Sequence, residues 1–211
     1  VGSLERRLHE MNPDVHVTGV NLDNTEELSF DGRQDLVLDL TNSPDLKERV
    51  LHYASSKNVL VISASTGKTG GELYFVKPGE DIHDATLSKY NGEHQGAFSS
   101  EILGGMITEE VRKALMPLQE GEQPIRTLAY QATAERRFTK EGDFEARPYE
   151  DLSQKRVLIV GAGALGNFVA LGAALEGIGH IDILDYDDVE AHNLNRQIMF
   201  YDAVGKQKSL A

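Results

Sequence analysis

A strand-like run that ends in a glycine-rich turn constrains this chain more than any other stretch. Val157 to Val160 is short, β-branched and aliphatic, the pattern of a buried parallel strand. Gly161-Ala162-Gly163-Ala164-Leu165-Gly166 follows at once and opens an apolar helix. In such a turn Gly161 permits the tight reversal, Gly163 lets backbone approach a phosphate, and Gly166 lets the helix pack close to the strand. The N–H groups and dipole at the helix start favour an anion. A second strand, Ile181 to Leu184, ends at Asp185, whose carboxylate is placed to hold ribose hydroxyls. Strand, turn, helix and acid together predict a nucleotide site. The plain alternative is a glycine-rich turn that serves packing only.

Composition narrows the setting. The 211 residues are 40% hydrophobic, with 20 Gly and 6 Pro, enough for one sizeable core or one domain with an appendage. Lys plus Arg number 21 against 34 Asp plus Glu, and a net charge of -13 disfavours broad nucleic-acid binding, because phosphates are repelled overall. There is no cysteine, so disulfides, thiolate zinc ligands and a thiol nucleophile are all excluded within this sequence. No stretch is long and apolar enough to span a membrane, and nothing at the N-terminus reads as a signal peptide. The expectation is a soluble, cytoplasmic protein.

Taken in order, Leu4, Leu8 and Met11 form a helical apolar stripe that Asn12-Pro13 closes. Val15 to Val20 alternates as a strand, and Asn21 to Gly32 is polar and turn-rich. Asp35 to Leu40 reads as a buried strand. Ser43 as N-cap and Pro44 at the first helical position then start a helix through Leu46, Val50 and Tyr53. Asn58 to Ser63 and Glu72 to Val76 read as strands around a Ser65 to Gly71 loop. Lys77 to Phe98 reads mainly as loop, with His83 and His94 as loop residues rather than ligands. Ser99 to Leu115 is helical, and Gly104-Gly105 inside it predicts close packing against another segment or a dimer face. Ile125 to Tyr130 is a further strand, and Arg136 to Ser153 is charged and aperiodic, as a linker is.

The segment after the glycine turn is more specific. Asp185-Tyr186-Asp187-Asp188-Val189-Glu190 leads to Asn193-Leu194-Asn195-Arg196-Gln197 and then to Gly205-Lys206-Gln207-Lys208. This combination resembles the ThiF/MoeB/HesA family, adenylating proteins related to ubiquitin-activating enzymes. The resemblance implies an α/β, Rossmann-like fold, a mainly parallel sheet with helices on both faces and an antiparallel extension. It also implies ATP and Mg2+ as cofactors, and as substrate the C-terminal glycine of a ubiquitin-like sulfur-carrier protein or a peptide. A homodimer is implied too. By resemblance Arg196 and Lys208 meet the phosphates, Asn193 and Gln197 orient phosphate or metal-bound water, and Asp185 and Asp187 with Gly161, Gly163 and Gly166 frame the nucleotide.

The order is shifted. Leu4 to Val20, Asp35 to Thr41 and Asn58 to Gly71 resemble the family's second half, yet they precede the glycine turn, and Lys208 to Ala211 stops inside the helix that Leu4 would continue. The implied organisation is circularly permuted or half-exchanged. Residues 1–135 form the family's C-terminal half, 136–153 a linker, and 154–211 the nucleotide-binding N-terminal half. A tandem fragment or a joint at Val1-Gly2-Ser3 explains the order equally. The family's D-x-T-D-N strand end reads Asp39-Leu40-Thr41-Asn42-Ser43 here. Asn42 stands where a catalytic carboxylate is expected, leaving the retained Asp39, or Asp45 one helical turn away, as the metal candidate. Arg136, Arg137 and Arg147 precede the turn without decisive spacing. Two other functions compete: a catalytically silent nucleotide-binding scaffold, which Asn42 favours, and an NAD-dependent oxidoreductase, which leaves Asn193 to Gln197 and Lys208 without a role.

Overall fold

Ser43 and Pro44 start a helix where their chemistry predicts one, and the elements around it assemble one of two compact units. The computed structural model describes residues 2–18, 33–80, 90, 96–132, 138–139 and 151–211. One unit is Glu27–Glu150; the other joins Val1–Glu26 to Asp151–Ala211.

In the first unit, β1 (Leu36–Asp39), β2 (Leu60–Thr66), β3 (Gly70–Val76), β4 (Thr127–Gln131) and β5 (Phe138–Thr139) lie side by side in that order. β1 runs parallel to β2, and the remaining neighbours are antiparallel. α2 (Pro44–Ser56) and α3 (Ala97–Leu115) cover the sheet. Strand alternation divides the side chains between them. Ile62, Ala64, Leu73 and Leu128 pack with Leu103 and Ile107 of α3, while Val61 and Val76 pack with Leu51 and Ala54 of α2. Each fully buried Leu or Ile contributes about 1.5–3 kcal/mol relative to exposure. The Ser43 hydroxyl accepts from the Leu46 N–H at 3.4 Å, the cap the sequence predicts.

Several expectations change here. The Asp35 to Leu40 run is an edge strand rather than a buried one, with Leu38 44% and Leu40 54% exposed, because among the described residues only β2 pairs with it. The Ser65 to Gly71 loop is mostly strand. β2 runs to Thr66, β3 starts at Gly70, and the Gly67 N–H donates to the Gly70 carbonyl across an ordinary hairpin. Gly104 and Gly105 have nothing within 4 Å of where a Cβ would stand, so the expected close packing is absent among the described residues. Phe138–Thr139, placed in the linker, pairs with β4. With three antiparallel pairings in this sheet, the expected mainly parallel sheet is a mixed one.

In the second unit, β6 (Arg156–Val160) and β7 (His180–Leu184) pair in parallel, Arg156 opposite His180 through Val160 opposite Leu184, with α4 (Ala164–Leu175) between them in sequence. Among the described residues β7 and α4 are the main cover of β6, and Leu158 and Val160 are 62% and 72% exposed, unlike the buried strand expected. Leu152 ties the segment entering β6 to the one entering β7, its carbonyl accepting from the Gly179 and Lys155 N–H groups. α1 (Gly2–Met11) forms as expected and ends where the Asn12 side chain accepts from the Asp14 N–H, but its stripe of Leu4, Leu8 and Met11 stays exposed. Val15 to Thr18 is not strand, and the rest of that predicted strand lies outside the described residues, as do the 21–32 turn region, His83, His94, Arg136, Arg137 and Arg147. Among the described residues no helix is long and apolar enough to cross a membrane.

Candidate nucleotide site

The glycine turn is held from both sides. The Gly161 N–H donates to the Leu184 carbonyl, tying the turn to the end of β7, and Gly161 adopts φ +98, a conformation that favours glycine. A Cβ at Gly166 would collide with the Gly161 carbonyl oxygen, so this glycine is a packing requirement of the turn itself. Gly163 differs. The nearest atom to a Cβ there is Nε2 of Gln197 at 3.9 Å, and among the described residues no side chain caps the start of α4. Packing therefore does not demand glycine at 163, whereas an approaching anion would, and the first N–H groups of α4 remain uncapped.

Asp185 braces this arrangement. Its Oδ2 accepts from the Ala162 N–H at 2.6 Å and its Oδ1 from the Asp187 N–H at 2.8 Å. Partial desolvation pushes the carboxyl up, but the N–H groups of Asp187, Ala162 and Tyr186 and the Lys208 charge outweigh it and hold it below the usual carboxylate range. Each oxygen keeps lone-pair capacity for a hydroxyl donor.

The following segment wraps back over the turn. Glu190 and Asn193 form a reciprocal cap on a 3-10 turn, Ala191–Asn193, with the Glu190 N–H donating to Asn193 Oδ1 at 3.0 Å. Asn193 is thus buried in a structural role. Gln197 is 4% exposed, and among the described residues its Oε1 has no donor. An unsatisfied buried acceptor beside an open glycine is what a site for a further polar group would show. Arg196 is exposed and folded back, its Nη1 donating to the His192 carbonyl and Asn195 Oδ1.

A short antiparallel ribbon delivers the lysine. Gly205, at φ +86, donates to the Val189 carbonyl, the Val189 N–H to the Lys206 carbonyl, and the Lys208 N–H to the Asp187 carbonyl. Lys208 is nearly buried, and its Nζ donates to Asp187 Oδ2 at 3.0 Å. Ala162, Val189, Phe200 and Ala203 form the apolar floor. Gly161, Gly163, Gly166, Asp185, Asp187, Asn193, Arg196, Gln197 and Lys208 thus all lie in one unit, and the core that floors it includes residues from the turn, the ribbon and the wrap.

Asp39 and Asn42 lie in the other unit. Asp39, expected as a metal ligand, is 1% exposed and has both oxygens engaged. Oδ1 accepts from the Thr41 hydroxyl at 2.8 Å, and Oδ2 from Lys47 Nζ at 2.8 Å and the Ser63 hydroxyl at 2.6 Å. Lys47 is fully buried and also donates to the Ala64 carbonyl. Asn42, expected in a catalytic role, donates through Nδ2 to the Thr66 carbonyl at 2.7 Å, and its Oδ1 accepts from the Thr66 N–H at 3.3 Å. It pairs with β2 as a strand residue does, and a carboxylate could not make the donating half of that contact. Among the described residues no three His, Asp or Glu groups stand together as a metal cluster; a Mg2+ carried on nucleotide phosphates needs only one or two carboxylates.

Sequence reading missed two groups. Lys47 lies in line with Leu51 and Ala54 at helical spacing, which was the available signal for its burial. Asn167, on the first turn of α4, is 3% exposed; it donates to the Ala162 carbonyl at 2.9 Å and accepts from the Met199 N–H at 2.9 Å.

Comparison with known proteins bears on the same stretch. Residues 130–211 match the model of the ThiF family. The chain is 48% identical over 67 residues to adenylyltransferase and sulfurtransferase MOCS3-1 of Zea mays, a match covering 31% of this chain and 14% of that protein. It is 34% identical over 128 residues to adenylyltransferase and sulfurtransferase MOCS3 of Anopheles gambiae, covering 53% of this chain and 27% of that protein. It is 39% identical over 62 residues to the NEDD8-activating enzyme E1 catalytic subunit of Caenorhabditis elegans, covering 29% and 14%. The chain spans no more than 27% of the length of any of these relatives.

Proposed function

We propose, from the match of residues 130–211 to the ThiF family model, that the chain binds ATP and activates a carboxylate by adenylation. The substrate class is the C-terminal glycine of a ubiquitin-like carrier protein. The observation that carries the reading is the open cradle at Gly163: uncapped helix N–H groups, space where a Cβ would stand, and the unsatisfied Gln197 Oε1 beside it.

In the reaction a carboxylate oxygen attacks the α-phosphorus, the bond to the bridging oxygen breaks, and pyrophosphate leaves with the electron pair. Two anions must approach, so the local field decides the rate. The Gly163 N–H and the α4 dipole receive phosphate oxygens. Asp185 accepts from ribose hydroxyls through its free lone pairs. Lys208, drawn from Asp187 toward the nucleotide, and Arg196, released from the His192 carbonyl, neutralise the departing pyrophosphate. The 211 residues contain no thiol, so the acyl-adenylate is the last intermediate they hold, and it passes to an outside nucleophile. A homodimer and the circular shift belong to the same reading. The open face at Gly104 and Gly105 supports the first, and the grouping of Val1–Glu26 with Asp151–Ala211 supports the second.

Pyrophosphate exchange tests the reaction: labelled pyrophosphate enters ATP only when a glycine-ended ubiquitin-like protein is added. ATP binding without exchange favours the silent scaffold, for which the engagement of Asp39 by Lys47 and of Asn42 by Thr66 is the specific support.

A further inference from the structure

The peptide unit between Ala162 and Gly163 is the part of the glycine turn that has to face a ligand. A trans peptide is planar, with its C=O and N–H pointing opposite ways. The Ala162 carbonyl is fixed on the buried Nδ2 of Asn167 at 2.9 Å. The Gly163 N–H of the same plane is therefore aimed away from Asn167. The other end of Ala162 is fixed too, its N–H on Asp185 at 2.6 Å. The remaining atom of the Asn167 amide accepts from the Met199 N–H at 2.9 Å, two residues after Gln197 and three after Arg196. One side chain, 3% exposed, thus connects the turn with the segment that carries the arginine and the glutamine. No other residue type of this size offers a donor and an acceptor on one rigid plane.

We infer that Asn167 is a positioning residue: it sets the direction of the Gly163 N–H and holds the Arg196–Gln197 segment in register with it, while touching no ligand itself. This rests on the reading of the Gly163 cradle as a phosphate site. Asn167→Ala removes both bonds. Asn167→Asp keeps the acceptor for Met199 but loses the donor to Ala162, so it separates the two halves of the role and serves as the second variant should the alanine fail to fold.

The test uses the full chain and two readouts. Residual dipolar couplings of the Gly163 and Met199 N–H groups are measured without nucleotide, and ATP affinity is measured by calorimetry. Asn167→Ala is expected to change both couplings and weaken ATP at least tenfold. Asn167→Asp is expected to change the Gly163 coupling with Met199 preserved, and to weaken ATP by a similar factor. The inference is overturned if either folded variant keeps the wild-type Gly163 coupling, or if that coupling changes while ATP affinity stays within twofold. Wild-type protein that binds no ATP would defeat the proposed function instead, and the couplings alone would then decide whether Asn167 aims the turn.

Discussion

At the end of β1 the chain gathers Asp39, Thr41, Lys47 and Ser63; at the end of β6 it gathers Gly163, Asp185, Gln197 and Lys208. The first group is closed upon itself. Asp39 takes two donors on one oxygen, and Lys47 has three acceptors, all buried. The second group is left partly open, with an uncapped helix start and an acceptor without a donor. Charged residues at a strand end therefore do not by themselves mark a site. What distinguishes the two regions is whether the polar groups have satisfied one another.

The contrast can be broken most severely at Lys47. Lys47→Met leaves the Asp39 carboxylate buried without its cation, and urea unfolding should show a loss of about 3–5 kcal/mol. A loss below about 1 kcal/mol would mean that water reaches the pair and that this region is not closed. Gly166→Ala comes next. Its Cβ meets the Gly161 carbonyl, the turn must shift, and the expected cost is about 1–3 kcal/mol together with loss of ATP binding in a filter assay. Asn42→Asp should cost about 1–2 kcal/mol, since it sets a carboxylate against the Thr66 carbonyl. Any gain of metal affinity in that variant, read by calorimetry with Mg2+, would reopen the β1 end as a site. Gly163→Ala should cost only about 0.5–1 kcal/mol in urea unfolding, as an N-cap change does, yet weaken ATP by far more, because a ligand fills that space. Equal ATP affinity in Gly163→Ala would remove the distinction between the two regions.

The smallest effect is in pH. The Asp185 carboxyl is held below its usual range in the folded chain. Its stabilisation is thus fully present above the ordinary aspartate value of about 3.9 and fades as pH falls through the lower folded value. Asp185→Asn should flatten the acid limb of the stability curve; an unchanged limb would mean that the Asp185 carboxyl takes up its proton alike in the folded and unfolded chain.

Local chemistry was legible where local chemistry decides. The Ser43-Pro44 start, the Gly161 turn and the strand ending in Asp185 depend on residues a few positions apart, and each forms as read. The β1 edge and the exposure of Leu158 and Val160 were not legible, because periodicity reports an apolar strand but not how many neighbours flank it. Lys47 was hidden for a related reason. The sequence phases the helix on Leu46, Val50 and Tyr53, whereas the buried residues are Lys47, Leu51, Tyr53 and Ala54, and the distant Asp39, Ser63 and Ala64 make a buried lysine tolerable. Asn167 was missed because its partners, Ala162 and Met199, are 37 positions apart and offer only backbone groups.

The ribbon joining Val189 to Gly205 and Lys206 makes the loop between them a gauge. Alternate residues of such a ribbon face opposite ways. Deleting one residue anywhere from Ala191 to Val204 would draw Ser209 into the place opposite Asp187 and turn the Lys208 ammonium to the other side. The reach of the cation is therefore set by how many residues the loop contains, as well as by the buried Asn193, Phe200 and Ala203 that hold the loop in place.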